Sequence, residues 1–347
     1  MRGLDFALND ICLAAFTTLA PGATLAYVVL ACTLLLGKLD SRLRQRIESW
    51  LIVPLAVATV GLVASATHLG TPSNALYVFR TVGSSPLATE VFSAVLFLGT
   101  SCSYWLGCIY IEGRKALRSL WLLASIAAAV LFIAGTDLAY AMPTVITWDT
   151  VLAQAILPCT ALACMTPLAL LIYTCSGYTS KVGLMRILAG ISLVSTAASC
   201  TLMAMQHMEL GTQRNAFGTA AELVPLYPAA IALFGVCLVV ANLGSLHAMR
   251  PLAAQGLAPE TADEKASAGR TGRNRCDSTA PTPSTTSQNS DTPTAHLDPT
   301  ARTTPNRFSP IERKVIFKLV AMCALAYAGT FVVRFCFYCF HMTSGVV

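Results

Sequence analysis

Residues 10–46, DICLAAFTTLAPGATLAYVVLACTLLLGKLDSRLRQR, join a long apolar segment to a cluster of cations. The apolar part, 10–36, is long enough to cross the hydrocarbon core of a bilayer as a helix. The cations that follow it are Lys38, Arg42, Arg44 and Arg46. Because cytoplasmic loops of membrane proteins are enriched in Lys and Arg, this junction predicts a membrane-spanning helix and its orientation.

Seven further apolar segments repeat this arrangement along the sequence. They occupy residues 50–67, 87–110, 119–141, 150–175, 187–208, 224–248 and 315–341. Cations collect in alternate gaps: Arg114, Lys115 and Arg118 in the third, Lys181 and Arg186 in the fifth, and nine Lys or Arg residues in the gap 249–314. The other gaps contain only Arg80 and Arg214. The positive-inside rule therefore predicts that the basic gaps are cytoplasmic and that both termini lie outside.

This pattern predicts an all-α membrane protein of eight transmembrane helices, arranged as two four-helix bundles. The N-terminal half would comprise 1–148, and the C-terminal half 149–253 with 311–347. Residues 254–310, rich in Ser, Thr, Pro and Asp, are expected to form a disordered cytoplasmic loop, because they cannot bury enough apolar surface to offset their ordering entropy. Five of seven residues agree between LGTPSNA at 69–75 and LGTQRNA at 210–216. This match favours a duplicated four-helix unit, with chance similarity as the alternative.

The composition is typical of a multi-pass protein of the cell membrane. Hydrophobic residues make up 55% of the sequence and charged residues 12%, and the mean hydropathy is +0.64. The net charge of +6 comes from cations at helix ends, where they set orientation and contact membrane lipid, so nucleic acid is not an expected partner. Asp5 and Asp10 replace the basic start of a signal peptide, which favours a first spanning helix over a cleaved signal.

The 13 cysteines do not have the spacing of a metal site. Most lie singly within predicted helices, where Cys packs as a small apolar residue. The one close pair, Cys336 and Cys339, spans a single helical turn, whereas an iron–sulfur cluster needs four converging thiolates. We therefore expect no metal bound by this protein.

Polar side chains are costly in a membrane, so their positions indicate where function lies. They gather at the predicted outer helix ends. The set comprises His68, Arg80, Glu90, Gln206, His207, Glu209, Arg334, Tyr338 and His341. Arg334, Tyr338 and His341 are spaced to share one helix face. Arg334 is expected to pair with Glu90, either as part of a site or as an ion pair that only fixes helix packing.

His68 and Glu90 are the strongest candidates for chemistry. Three interpretations of His68 stay open: a haem ligand, an interfacial histidine that bonds a loop carbonyl, or a proton acceptor for a redox substrate. Haem is disfavoured because paired imidazoles should face each other inside the bundle rather than lie near helix ends. A carboxyl near the apolar zone, as at Glu90, suits proton uptake and relay. Asp137 and Asp149 rank lower because both fit solvated loop acids.

Two stretches carry a resemblance to a known family. Residues 64–92, ASATHLGTPSNALYVFRTVGSSPLATEVF, resemble the S-x-x-H-L-G-x-P and R-x-x-x-S-x-L-x-x-E motifs of the anchor subunits of bacterial dimethyl sulfoxide reductases. Residues 334–345, RFCFYCFHMTSG, resemble the closing R-x-x-F-Y-x-x-H-M-T-x-G of that family. Weaker similarity covers 205–225, and 254–310 has no counterpart. Leu138, two residues before Tyr140, stands where many relatives have the arginine of an Arg-x-Tyr motif, so the role of that arginine is not transferred.

The resemblance implies a haem-free, quinol-oxidising membrane subunit. It implies two partners, an iron–sulfur electron-transfer subunit and a molybdopterin catalytic subunit, and menaquinol or a similar quinol as substrate. Under this hypothesis, His68 and Glu90 perform the proton chemistry. The quinol-binding residues would be His68, Arg80, Glu90, Arg334, Tyr338 and His341.

Two other functions compete with this hypothesis. A secondary transporter would also place polar residues at one end of a repeated bundle, but the sequence shows no pair of Gly- or Pro-interrupted helices with charges at the midplane. A passive anchor without quinone chemistry would need the same helices. The terminal electron acceptor belongs to the catalytic partner, and this sequence does not specify it.

Overall fold

The computed structural model describes residues 2–67, 77–108, 114–179, 182–215, 218–256 and 308–343. Within these ranges, eight helices are long and apolar enough to cross a membrane, which confirms the predicted number. The helices are α1 Arg2–Asn9, α2 Ile11–Leu36, α3 Ser41–Trp50, α4 Ile52–Thr67, α5 Pro86–Gly107, α6 Lys115–Ala139, α7 Val151–Ser176, α8 Val182–Leu210, α9 Ala220–Leu223, α10 Tyr227–Gly256 and α11 Pro310–Cys339. The strands are β1 Arg214–Asn215 and β2 Gly218–Thr219.

Several helices begin before the apolar segment that predicted them. The fourth span starts at Lys115 rather than 119, and the last at Pro310 rather than 315. At the last one, the Ser309 side chain accepts from Glu312 N while the Glu312 carboxylate accepts from Ser309 N, so both end groups are satisfied. Hydropathy marks only the part of a helix that suits hydrocarbon, whereas capping residues set where the helix starts.

Several short elements were not predicted from the sequence. The amphipathic helix α1 precedes the first span and packs against α11. A basic helix, α3, leads into the second span; the Asp40 side chain accepts a hydrogen bond from Leu43 N at its start. The strands β1 and β2 pair antiparallel between the sixth and seventh spans.

The predicted loop 254–310 begins later than expected. Helix α10 continues to Gly256, three residues into that segment, and α11 begins at Pro310. The remainder, 257–307, lies outside the described residues, and so does the proposed site residue His68.

The helices α2 and α7 form the centre of the assembly. They contain the most buried of the spans and pack against each other, and α2 also packs on α4, α6 and α11. The close approach of α2 to α7 depends on a glycine, because a Cβ built on Gly22 of α2 would clash with Cys164 Sγ of α7. Small residues at such crossings are the usual means of bringing membrane helices together.

Consecutive spans cross in opposite directions, which creates two ends. The basic end carries the α2–α3 and α5–α6 junctions and the start of α11. The aromatic end carries the start of α2, the loop 140–150 and the residues after α11; there Val145 forms an antiparallel bridge with Thr343. All the predicted site residues that the structure describes lie towards the aromatic end.

Candidate functional site

Glu90 lies one turn inside α5, where the sequence fixes the helix start. The Ser85 hydroxyl accepts from Ala88 N and Pro86 occupies the first turn, so α5 begins at Pro86. Glu90 is therefore carried into the bundle, where its side chain is only 6% exposed. Its Oε1 is buried and has no hydrogen-bond partner among the described residues.

A glycine brings α6 against this glutamate. A Cβ built on Gly135 would lie 3.4 Å from Glu90 Cα and 2.6 Å from Ser93 Oγ, so any larger residue would require the Ser93 side chain to move. The next residue, Thr136, lies beside the Glu90 carboxyl and donates its hydroxyl to Phe132 O at 3.0 Å. The Thr136 oxygen can still accept a hydrogen bond, which suits a protonated Glu90.

Two tyrosines from distant parts of the sequence meet beside Glu90. The hydroxyls of Tyr140, after α6, and Tyr338, near the end of α11, are 2.6 Å apart. Burial raises the pKa of Tyr140 well above its ordinary value; the nearby Tyr338 and Glu90 raise it further, and Arg334 opposes them. The Tyr140 phenol therefore remains protonated at neutral pH and serves as both a hydrogen-bond donor and an acceptor.

The Arg334 guanidinium donates a hydrogen bond to a neutral hydroxyl rather than to a carboxylate. The side chain is 3% exposed, and its Nη2 donates to Thr160 Oγ1 at 2.6 Å. The expected ion pair with Glu90 is not formed among the described residues, where the guanidinium takes Thr160 instead. Arg334 lies within electrostatic range of Tyr140, Tyr338, Tyr227 and Asp137. Its buried Nε has no partner among the described residues, so one donor is free to meet an oxygen.

The loop 141–149 fastens the end of α11 in place. Trp148 stacks on Phe337 with ring centroids 5.1 Å apart, and its Nε1 donates to Phe337 O at 3.1 Å. His341 lies beyond the helix end, with its ring centroid 4.7 Å from that of Trp148. Burial lowers the pKa of His341, and Asp10 opposes the shift. His341 is therefore mostly neutral at pH 7.

A second polar group lies across the same end of the bundle. Tyr227 donates to Gln206 Oε1 at 2.8 Å, and the rings of His207 and Tyr227 are 6.1 Å apart. The buried Gln206 Nε2 and His207 Nδ1 have no partner within the described ranges. Because Arg334 lies within electrostatic range of Tyr227, the two polar groups are neighbours.

Other predicted residues take different positions. Arg80 is exposed, and its guanidinium lies 5.1 Å from the centroid of the Tyr77 ring. Asp149 is exposed, as expected of a loop acid, whereas Asp137 is half-buried and interacts with Arg334. Sequence reasoning missed Tyr140, Thr160 and Trp148 as members of the site, because aromatic and hydroxyl residues in apolar segments give no signal by themselves.

Among the described residues, no three His, Cys, Asp or Glu side chains converge as metal ligands. The cysteines within the described ranges are not joined by disulfides. The groups assembled at the aromatic end are instead hydrogen-bond donors, acceptors and two acids, the buried Glu90 and the half-buried Asp137. Such a set can bind a polar ring substituent and transfer protons.

The comparisons with known proteins agree on one family. The statistical model described as DMSO reductase anchor subunit (DmsC) matches residues 4–255. The protein is 30% identical over 227 residues to the C subunit of anaerobic dimethyl sulfoxide reductase from Escherichia coli (strain K12), a match that covers 65% of this protein and 78% of that relative. It is 28% identical over 201 residues to the anaerobic dimethyl sulfoxide reductase subunit YnfH of the same strain, covering 58% of this protein and 69% of the relative. The C subunit of the Haemophilus influenzae reductase is 29% identical over 149 residues, which are 43% of this protein and 53% of that one.

Proposed function

This protein belongs to the DMSO reductase anchor subunit (DmsC) family, and we propose that it oxidises menaquinol, or a similar quinol, within its complex. Membership makes it a multi-pass membrane anchor of a DMSO reductase complex that has catalytic and electron-transfer subunits. In our proposal, the electron-transfer partner carries iron–sulfur clusters and the catalytic partner carries molybdopterin. The anchor itself holds neither haem nor metal.

The proposal rests on the carboxyl oxygen of Glu90 that has no hydrogen-bond partner among the described residues. Burial of an acid without a full set of hydrogen bonds costs free energy, so such groups are rare unless they serve function. Glu90 is 6% exposed and its Oε1 has no partner among the described residues. A quinol hydroxyl in the adjoining bundle interior would supply the missing donor.

The proposed reaction releases two protons and two electrons from each quinol. Both ring O–H bonds break, the ring becomes a quinone, and the two electrons pass to the iron–sulfur partner. His68, whose role rests on the family resemblance, accepts a hydroxyl proton, and Glu90 relays a proton to the outer surface. We place the aromatic end outside, on the basis of the positive-inside rule.

The remaining site residues would hold the headgroup and its charge. Arg334 has a free Nε donor that suits a developing quinone oxygen. Tyr338, paired with Tyr140, and His341, held against Trp148, would border the ring. Arg80, on the exposed side of the loop before α5, would act at the entrance to the site.

The test compares two electron donors in the assembled complex. Glu90→Gln keeps the shape of the side chain but removes proton transfer, and we expect quinol-dependent reduction of the terminal acceptor to fall by about 100-fold or more. Reduction from an artificial dye that bypasses the anchor should be unchanged. His68→Gln should likewise lower quinol-dependent reduction and leave reduction from the dye unchanged.

Glu222→Gln provides the matched control. Glu222 lies at the aromatic end but is exposed, where its carboxylate accepts from Thr219 Oγ1 at 2.8 Å. This variant should retain activity with both donors. Full quinol activity in Glu90→Gln and His68→Gln would refute the proposal and leave a passive anchor. A protein that purifies without molybdenum- and iron-containing partners would favour a transporter.

A further inference from the structure

A cavity of about 560 Å³ opens at the basic end, remote from the proposed quinol site. It lies between the end of α2, the helix α3 and the start of α6. Its lining includes Leu34, Leu35, Leu39, Arg44, Glu48, Cys108, Lys115 and Arg118. Nothing in the proposed quinol reaction uses this cavity.

Positive charge predominates in the cavity wall. Three cations, Arg44, Lys115 and Arg118, face a single acid, Glu48. That acid is already satisfied, because it accepts from Tyr104 Oη at 2.8 Å and pairs with Arg118. The cavity therefore presents an excess of positive charge to any group that enters it.

The cations retain donors that the protein does not use. Arg44 directs Nη2 to Leu34 O at 2.5 Å, which fixes the guanidinium at the end of α2. The buried Nε of Arg118 has no hydrogen-bond partner among the described residues. Lys115 is exposed at the first turn of α6. Donors from two helices, Arg44 on α3 and Lys115 and Arg118 on α6, thus point to an anionic ligand with several oxygens.

The opposite wall is apolar and belongs to a membrane-spanning helix. Leu34 is buried and Leu35 half-buried at the last turn of α2, and Leu39 follows in the junction. The cavity is also larger than one phosphate ion needs, since it lies within the range of about 300–1,000 Å³ found for small-molecule sites. Apolar wall and cations meet at the boundary between hydrocarbon and water, where lipid headgroups lie.

We propose that this cavity binds the phosphodiester of an anionic phospholipid headgroup. Lys115 and the free donors of Arg44 and Arg118 bind the phosphate oxygens, and the leucines contact the glycerol and the start of the acyl chains. The bound lipid fills the gap between α3 and α6. It thereby stabilises the junctions at the basic end.

The experiment measures lipid binding to the purified complex in detergent by native mass spectrometry. The probes are phosphatidylglycerol, the zwitterionic phosphatidylethanolamine and inorganic phosphate alone. We expect phosphatidylglycerol to bind more tightly than phosphatidylethanolamine. Lys115→Gln should weaken phosphatidylglycerol binding by about fivefold, since each basic residue near an anionic lipid contributes on the order of 1 kcal/mol. Lys115→Glu should weaken it further.

Lys314→Gln is the matched control, because Lys314 is also an exposed cation near the start of a helix at the basic end but does not line the cavity. It should leave the affinity unchanged. Equal loss in Lys314→Gln and Lys115→Gln would show general charge attraction and overturn the proposal. Inorganic phosphate that binds the complex as tightly as phosphatidylglycerol does, with the same dependence on Lys115, would identify a free anion as the ligand and overturn the proposal too.

Discussion

One glutamate is buried at each end of this protein, and the two differ in their hydrogen-bond and ion-pair partners. At the basic end, Glu48 is 3% exposed, accepts from Tyr104 Oη at 2.8 Å and pairs with Arg118. At the aromatic end, Glu90 is 6% exposed, and its Oε1 has no partner among the described residues. Arg334, the expected partner of Glu90, donates to Thr160 instead.

We propose that this difference gives Glu48 a structural role and Glu90 a role in proton transfer. A buried carboxylate with a charge partner and a phenol donor is held in one state and one position. A buried carboxyl with a free oxygen can change its protonation state and accept an incoming donor. In our proposal, the basic end uses its polar network for stability, whereas the aromatic end keeps part of its network unsatisfied for a substrate.

The largest expected effect comes from breaking the satisfied pair. Arg118→Met leaves Glu48 buried without its counter-ion, and we expect the free energy of unfolding to fall by about 3 kcal/mol, the lower end of the range for a buried pair because Arg118 is partly exposed. Thermal unfolding of the purified complex in detergent measures this loss. Glu90→Gln, the corresponding change at the aromatic end, should cost less than about 1 kcal/mol because no partner is stranded.

Equal losses of stability in these two variants would remove the distinction between the ends. Dye-driven activity supplies a second check, because it reports assembly with the catalytic partner. It should decline in Arg118→Met and persist in Glu90→Gln. Arg118→Met should therefore mainly reduce stability, whereas Glu90→Gln should mainly reduce quinol oxidation.

Features that depend on one segment of the sequence at a time could be predicted from it. The eight apolar segments predicted the eight spans because each helix satisfies its own backbone hydrogen bonds, whatever its neighbours are. Glu90 was recognised for the same reason, as one acid inside an apolar run. The boundaries at the basic end were less accurate because capping and basic flanking residues extend the helices beyond the hydrocarbon.

Features that depend on distant partners were missed. Glu48 lay in a segment assigned to a loop, and its burial depends on Arg118, 70 residues away. Tyr140 meets Tyr338 across 198 residues, and neither position signals the other. The expected Arg334–Glu90 pair failed because opposite charges at similar depth do not fix which helix faces meet. Thr160, from a third helix, accepts the hydrogen bond of the Arg334 guanidinium instead.

A second, smaller effect should follow from separating α5 and α6 beside Glu90. Gly135→Ala places a Cβ 2.6 Å from Ser93 Oγ and 3.4 Å from Glu90 Cα. The 3.4 Å approach to Glu90 Cα is an ordinary contact, but Ser93 must move and give up its hydrogen bond to Glu90 O, so we expect a cost of about 1.5 kcal/mol and a disturbed contact beside Glu90. Thermal unfolding and quinol-dependent turnover should both decrease.

Gly99→Ala, on the neighbouring helix α5, is the control for this change. A Cβ there meets nothing within 4 Å, so alanine should be neutral or stabilise the helix by about 0.5–1 kcal/mol. If Gly135→Ala were tolerated as well as Gly99→Ala, with full quinol turnover, the position of Glu90 would not depend on this close contact.

The smallest expected effect concerns the hydrogen bond between Tyr140 and Tyr338. Tyr140→Phe and Tyr338→Phe each remove one hydroxyl of a pair 2.6 Å apart, and each should cost about 1 kcal/mol. In the double variant the losses should not add, because the second substitution removes a partner that is already gone. Thermal unfolding of the two single variants and the double variant measures this coupling.

Quinol turnover in the same variants sharpens the comparison between the ends. If the pair is only a fastening for α11, as the Tyr104–Glu48 bond is for α5 at the basic end, both single variants should keep turnover in proportion to their stability. If Tyr338 also borders the quinol, Tyr338→Phe should lose more turnover than Tyr140→Phe at equal stability, and the loss should appear with the quinol donor but not with the dye. Equal turnover in both variants would restrict the chemistry to Glu90, Arg334 and His68 and would make the tyrosine pair a structural counterpart of the bond at Glu48.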